Sequence, residues 1–194
     1  MKIGLFGGTF DPVHLGHLLL ADQALEAADL DEIWWIPAGE PPHKLEKKVT
    51  PSMHRVNMVK QAISGNPRFR LCLTEVNRSG PSYTVDTVKE LVRIRPDASF
   101  HLLVGADSVN DLPRWHEIGT ILRLVRVVAM GRPGHDRRPL PEEVAKRLQW
   151  IPDAVETGIS STEIRRRLVA GKSVRYMVPE PVLRYIRENR LYES

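Results

Sequence analysis

Short apolar runs alternate with longer stretches of helical periodicity almost to the end of the chain. Lys2-Ile3-Gly4-Leu5-Phe6 predicts a short buried strand that runs into a glycine-rich turn. Residues 15–28 carry Leu18, Leu19, Ala21 and Leu25 at helical spacing and predict a helix. Ile33-Trp34-Trp35-Ile36 marks the next strand, over residues 32–37, before a polar, proline-rich loop over 39–51. Residues 53–63 predict a helix that stops at the breaker Gly65-Asn66-Pro67. A third strand is expected over 68–76, and a helix over 83–95 that ends before Pro96. The apolar run 99–104 predicts a fourth strand leading into Gly105-Ala106-Asp107-Ser108. The remainder reads as a helix over 115–122, a strand over 125–130, a short helix over 142–148 and an edge strand over 150–155. Helices over 161–170 and 181–189 close the chain.

Strands alternating with helices of this length predict one α/β domain over residues 1–194. The expected architecture is a Rossmann-like doubly wound parallel sheet with helices on both faces and a small helical part at the C-terminal end. In such sheets ligands sit outside the carboxyl ends of the strands. The apolar fraction of 42% suits a folded core. No run of about 18 apolar residues exists to span a membrane. The opening strand reaches Gly7-Gly8 too soon to hold a signal-peptide core, so a cytoplasmic location is expected. The single cysteine, Cys72, rules out an internal disulfide, and its apolar neighbours predict core packing. Net charge is +4, from 28 basic and 24 acidic residues, and the basic residues are dispersed. Without a basic stripe or interleaved aromatics, no nucleic-acid partner is expected. The composition is compatible with a homo-oligomer.

The turn after the first strand carries the first candidate chemistry. In Gly7-Gly8-Thr9-Phe10-Asp11-Pro12-Val13-His14-Leu15-Gly16-His17 the paired glycines let the backbone turn sharply and let a ligand approach it. Exposed amides there, with the start of the following helix, form an anion cradle. His14 and His17, three residues apart, share a helix face and can donate hydrogen bonds to charge that builds during transfer. Gly171-Lys172-Ser173 is no Walker loop, because Arg166 stands where the earlier glycine belongs. No Gly-x-Gly-x-x-Gly follows the first strand, and no third ligand accompanies the histidines to make a zinc site. A tight turn with surface histidines remains open on these residues taken by themselves.

The full string resembles the His-x-Gly-His signature of the nucleotidyltransferase superfamily, and its longer form resembles the nicotinate mononucleotide adenylyltransferase family. A second string, Ile159-Ser160-Ser161-Thr162-Glu163-Ile164-Arg165, fits a capping box, with Ser160 capping a helix and Glu163 returning to it. It also resembles the superfamily's Ile-Ser-x-Thr-x-x-Arg signature. The resemblance implies an ATP site built from Gly7, Gly8, Thr9, Phe10, His14, His17, Gly105, Asp107, Ile159, Ser160, Ser161, Thr162 and Arg165. Within it His14, His17 and Arg165 would be catalytic, and Ser161, Thr162 and Arg165 would hold the β- and γ-phosphates. Arg166 and Arg167 are expected to be solvated charges.

Four further stretches resemble the nicotinate mononucleotide branch. Pro41-Pro42-His43-Lys44 would meet the acceptor phosphate, and Tyr83 and Thr84 the pyridine carboxylate. Amides at a helix start suit an anionic carboxylate better than a neutral amide. The strand-end turn Gly105-Ala106-Asp107-Ser108 would lie beside the ATP nucleoside. Trp115, expected inside a helix, would stack on the pyridine ring, and Arg132 would face the acceptor. The implied activity is transfer of AMP from ATP to nicotinate mononucleotide without a covalent intermediate, with Mg2+ held mainly by the ATP phosphates. Another phosphorylated acceptor, such as phosphopantetheine, and a non-catalytic nucleotide sensor are the alternatives.

Overall fold

A computed structural model describes residues 1–39, 49–130, 140–151, 154, 155 and 157–193, with the side chains of all but Ala106 and Asp107. In chain order the first half contains β1 (Lys2–Gly8), α1 (Leu15–Ala27), β2 (Glu32–Pro37), α2 (Ser52–Ile63), β3 (Phe69–Leu71) and α3 (Thr84–Ile94). The second half contains β4 (Ser99–Gly105), α4 (Ala106–Val109), α5 (Ile118–Leu124), β5 (Arg126–Met130), α6 (Glu142–Ala145), β6 (Leu148–Ile151), α7 (Ser161–Val169) and α8 (Glu180–Glu188).

The strands form one six-stranded, all-parallel sheet in the order β3-β2-β1-β4-β5-β6. Side chains of the central strands alternate between two cores. Phe6, Leu103, Val128 and Met130 enter the first; Ile3, Leu5, Phe100, Leu102, Val104, Val127 and Ala129 enter the second. A strand covered on both faces must be apolar throughout, which is why these segments read as continuous hydrophobic runs. Ala21, Ala24 and Leu25 of α1, Met58 and Val59 of α2, Ile164 of α7 and Leu183 of α8 close the first core. Val85, Val88 and Leu91 of α3, with Ile121 and Leu122 of α5, close the second. Among the described residues no helix is long and apolar enough to cross a membrane.

Strand order reverses between β1 and β4, both of which flank the central gap. Crossovers leave in opposite directions there, and a crevice opens outside the carboxyl ends of β1, β2 and β4. Of the expected site turns, Gly7–Thr9, Tyr83 and Thr84, Ser108 and Trp115 line that crevice.

Four elements differ from expectation, the first being the helix expected over 142–148, which spans only Glu142–Ala145 before β6 begins at Leu148. The strand predicted over 68–76 pairs only over Phe69–Leu71. Its neighbour β2 ends at Pro37, and beyond Cys72 the chain folds into turns closed by Asn77 N–H to the Leu73 carbonyl and Arg78 N–H to the Glu75 carbonyl. The predicted edge strand over 150–155 lies instead at Leu148–Ile151, because its register pairs Ile151 with Met130, the last residue of β5. Trp115 is not within a helix. It follows a 3₁₀ turn over Leu112–Arg114 in extended conformation, and left-handed Glu117 delays the start of α5 to Ile118.

Leu91 is fully buried in the second core, and the sheet behind it cannot collapse into the space its side chain fills. Leu91→Ala should therefore lower unfolding free energy by about 2–5 kcal/mol, read as an earlier urea midpoint with an unchanged slope.

Candidate active site

The loop between β1 and α1 is shaped by its own side chains. A Cβ on Gly8 would lie 2.8 Å from the Phe10 ring, so only glycine lets that ring fold back under the turn. Phe10 takes a left-handed conformation with φ of 50°, and its ring packs on Phe6, Trp35 and His17. It is 2% exposed, so its ring serves to shape the turn from beneath. Gly7 by contrast faces open space.

His14 caps α1 in extended conformation and His17 follows one turn on. Their rings stack at 3.6 Å, and the His14 N–H donates to His17 Nδ1 at 3.2 Å. Neutral His17 therefore carries its proton on Nε2, where it is a donor. Burial lowers the pKa of His14 to about 4 and draws His17 well below the usual imidazole value, with His14 adding to the effect on His17. Both rings are neutral at pH 7. Gly16 explains itself by contact, since a Cβ there would sit 2.8 Å from Thr157 Oγ1 and 3.0 Å from His14 Nδ1.

α7 is docked on this loop. Ser161 Oγ donates to the Pro12 carbonyl at 2.9 Å, and Arg165 donates to the Asp11 carbonyl at 2.6 Å from 154 positions away. The second Arg165 nitrogen reaches Thr162 Oγ1 at 3.4 Å. Ser160 caps the helix as expected, accepting the Glu163 N–H at 3.2 Å. Glu163 does not return the bond; its carboxylate pairs with Arg166 at 2.7 Å. Arg167 donates to the Ser173 carbonyl at 3.0 Å, so neither arginine is simply solvated. Ile159 packs half-buried against the first core just ahead of the cap.

Two supports were not foreseen. Arg55 of α2, 2% exposed, donates to the carbonyls of Thr9 at 2.9 Å, Thr50 at 2.9 Å and Gly39 at 3.1 Å. The Tyr192 hydroxyl donates to Asp11 Oδ1 at 2.6 Å, and burial beside that carboxylate pushes the phenol well above its usual value. An arginine on a helix reads as a solvated charge, and a tyrosine near the chain end carries no local signal, so sequence reasoning had nothing to find.

A cavity of about 740 Å³ opens at the crevice. Gly7, Gly8 and Thr9 line it together with Tyr83, Thr84 and Trp115, which come from three separate segments. Tyr83 caps α3 and its ring leans on His116 at 4.8 Å. His14 and His17, at the start of α1, and Arg165, on α7, are not among the residues that line it. Gly105 caps α4 and faces open space, and Ser108 lines the cavity. The side chain of Asp107 is not described, and the expected acceptor contacts His43, Lys44 and Arg132 lie outside the described residues. Among the described residues no group of three His, Cys, Asp or Glu side chains is placed to hold a metal ion.

The depressed imidazoles give the fold a definite pH dependence. A histidine whose folded pKa lies below its unfolded value stabilises fully above about 6.5 and loses that contribution as pH falls toward the folded pKa. For His14 this loss should reach on the order of 3 kcal/mol by pH 4. Thermal melts between pH 7 and 4 should show a shallower decline for His14→Asn than for the native chain.

The cytidylyltransferase-like family pattern matches residues 5–167. A protein of Bacillus subtilis (strain 168) named nicotinate-nucleotide adenylyltransferase is 45% identical over 194 residues, covering 100% of this chain and 99% of its own. A Bacillus pumilus (strain SAFR-032) relative named "Probable nicotinate-nucleotide adenylyltransferase" is 47% identical over 193 residues, with 100% and 99% covered. Among solved structures, the fold is similar to that of a Plasmodium falciparum nicotinic acid mononucleotide adenylyltransferase complexed with NaAD. That match has a TM-score of 0.80 at 22% identity, over 99% of this chain and 97% of the other. The chain belongs to the cytidylyltransferase-like family and, within it, to the nicotinate-nucleotide adenylyltransferases.

Proposed function

We propose that the chain transfers the AMP group of ATP to nicotinate mononucleotide, forming nicotinate adenine dinucleotide and pyrophosphate, a step of NAD biosynthesis in the cytoplasm. Full-length relatives at 45–47% identity that carry this activity in their names support the reaction. The observation that carries the proposed site is Arg165, whose bond to the Asp11 carbonyl draws the second motif onto the first.

An oxygen of the acceptor 5′-phosphate attacks the α-phosphorus in line. The bond from phosphorus to the α/β bridging oxygen breaks, and pyrophosphate leaves with the electron pair. No protein nucleophile takes part; the chain aligns two anions and offsets their repulsion. His17, with its proton on Nε2, brings a donor to the bridging oxygen as charge builds there, and His14 serves beside it. Arg165, Thr162 and the free amides opening α7 hold the departing pyrophosphate. The Ser161 hydroxyl is committed to Pro12, so its part is to seat α7.

On the acceptor side Trp115 stacks on the pyridine ring, roughly 0.5–1.5 kcal/mol beyond area burial. The amides at the start of α3, around Tyr83 and Thr84, favour an anionic ring substituent by about 0.3–1 kcal/mol. His43, Lys44 and Arg132 remain our assignments for the acceptor's remaining charge, and Gly105 with Asp107 for the ATP nucleoside. Magnesium enters as the complex with ATP, with phosphate oxygens as its main ligands.

Purified protein with ATP should release pyrophosphate with nicotinate mononucleotide faster than with nicotinamide mononucleotide, and not at all with phosphopantetheine; equal rates would refute the acceptor. His17→Ala should cut turnover by about 10²–10³ while melting like the native chain, and an unchanged rate would remove His17 from the chemistry.

A further inference from the structure

The acceptor cavity contains two buried polar groups that the reaction scheme leaves unused. Glu75, 9% exposed, lies in the turn that cuts β3 short and lines the cavity. Its Oε1 accepts from Thr87 Oγ1 at 2.9 Å. Thr87 Oγ1 itself accepts from Arg78 at 3.1 Å, so its one proton must point to Glu75. Glu90 holds the other Arg78 nitrogen at 2.6 Å. This chain of bonds orients the carboxyl through one oxygen and, among the described residues, leaves Oε2 for a ligand.

Ser82 is the second group. It is 7% exposed, lines the same cavity, and its Oγ has no hydrogen-bond partner among the described residues. It does not cap α3, where Tyr83 takes the capping position without a side-chain bond. A buried hydroxyl left unpaired is costly, and a ligand atom relieves the cost. Gly39 ties the two groups together. A Cβ there would lie 2.3 Å from the Glu75 carbonyl oxygen and 3.0 Å from Ser82 Oγ, so the turn after β2 presses directly on both.

A carboxylate and a hydroxyl side by side, next to Leu5, Ile36, Val88 and Leu102 in a cavity that Asp111 and Arg114 also line, suit neighbouring neutral hydroxyls at that spot. Burial pushes the Glu75 carboxyl up to about 6, against the opposing pull of Thr87, Arg78 and Arg55, so at neutral pH it is still an acceptor. In the proposed pose the ring end of the acceptor meets Trp115 and Thr84, and its phosphate end points toward the ATP site at Gly7–Thr9, which lines the same cavity. Its ribose then spans the wall between them.

We propose that Glu75 and Ser82 form the ribose-hydroxyl subsite of the acceptor nucleotide, with Glu75 accepting from one hydroxyl and Ser82 bonding its neighbour. This rests on the acceptor being a mononucleotide. Native enzyme is therefore assayed first with ATP and nicotinate mononucleotide, and absence of product there refutes the reaction, not the subsite. With turnover established, acceptor KM is measured for the ribose compound and its 2′- and 3′-deoxy forms on native enzyme, Glu75→Gln and Ser82→Ala. Each variant should raise the KM for the ribose acceptor roughly tenfold with the ATP KM unmoved. The deoxy acceptor that costs the native enzyme roughly tenfold should cost the matching variant nothing more. Effects of variant and deoxy acceptor that multiply, or an ATP KM that rises in step, overturn the proposal. If Glu75→Gln melts early, Ser82→Ala carries the same comparison, since removing an unpaired hydroxyl leaves the fold's own bonds intact.

Discussion

Two backbone carbonyls, those of Asp11 and Pro12, carry more of this architecture than any side chain does. They belong to the loop that leaves the central strand, and they accept from Arg165 and Ser161 at the start of α7. A carbonyl has two lone pairs and little freedom to move, so a helix seated on two of them has its position and its rotation set together. Asp11 is fixed in turn through its carboxylate, by Tyr192 and by the Thr50 N–H at 3.3 Å. Arg55 ties the Thr9 carbonyl, earlier in the same loop, to the carbonyls of Gly39 and Thr50. The phosphate loop is thus held from α2, from α7 and from the chain's final residues at once.

That scaffold decides the electrostatics. With the loop packed on Phe6, Phe10 and Trp35, the two imidazoles are pressed together in an apolar setting and cannot both carry charge. The result is a loop beside which Arg165 carries a fixed positive charge while both imidazoles stay neutral, the division of labour we propose for the site. Such a division suits a reaction between two polyanions. A charged imidazole would bind the ground state as tightly as the transition state, whereas a positioned neutral donor responds most where charge is growing.

The same economy shapes the other side of the crevice. Trp115 reaches the cavity because the chain there is extended between a 3₁₀ turn and a delayed helix, and Glu75 reaches it because β3 stops early. In both places the departure from regular structure delivers a side chain to the cavity wall. Functional groups gather where the ladder or the helix breaks, since a regular element would turn them into the core or out to solvent.

Much of this was legible in the residues themselves. The runs around Leu5, Trp35, Leu103 and Val128 announced strands buried on two faces, because periodicity is a local property of consecutive residues. The spacing of His14 and His17, and the hydroxyls opening α7 before Arg165, likewise announced groups meant to converge. What no local pattern contained was the partner of each group. That Ser161 would bond the Pro12 carbonyl, that Arg55 would be buried against three carbonyls, and that Ser82, among the described residues, would have no partner beside Glu75 were decided by contacts among distant segments. Sequence decided which elements form and which residues bear chemistry; only the folded chain decided whom they meet, because hydrogen-bond partners are set by distances in space that no spacing along the chain records.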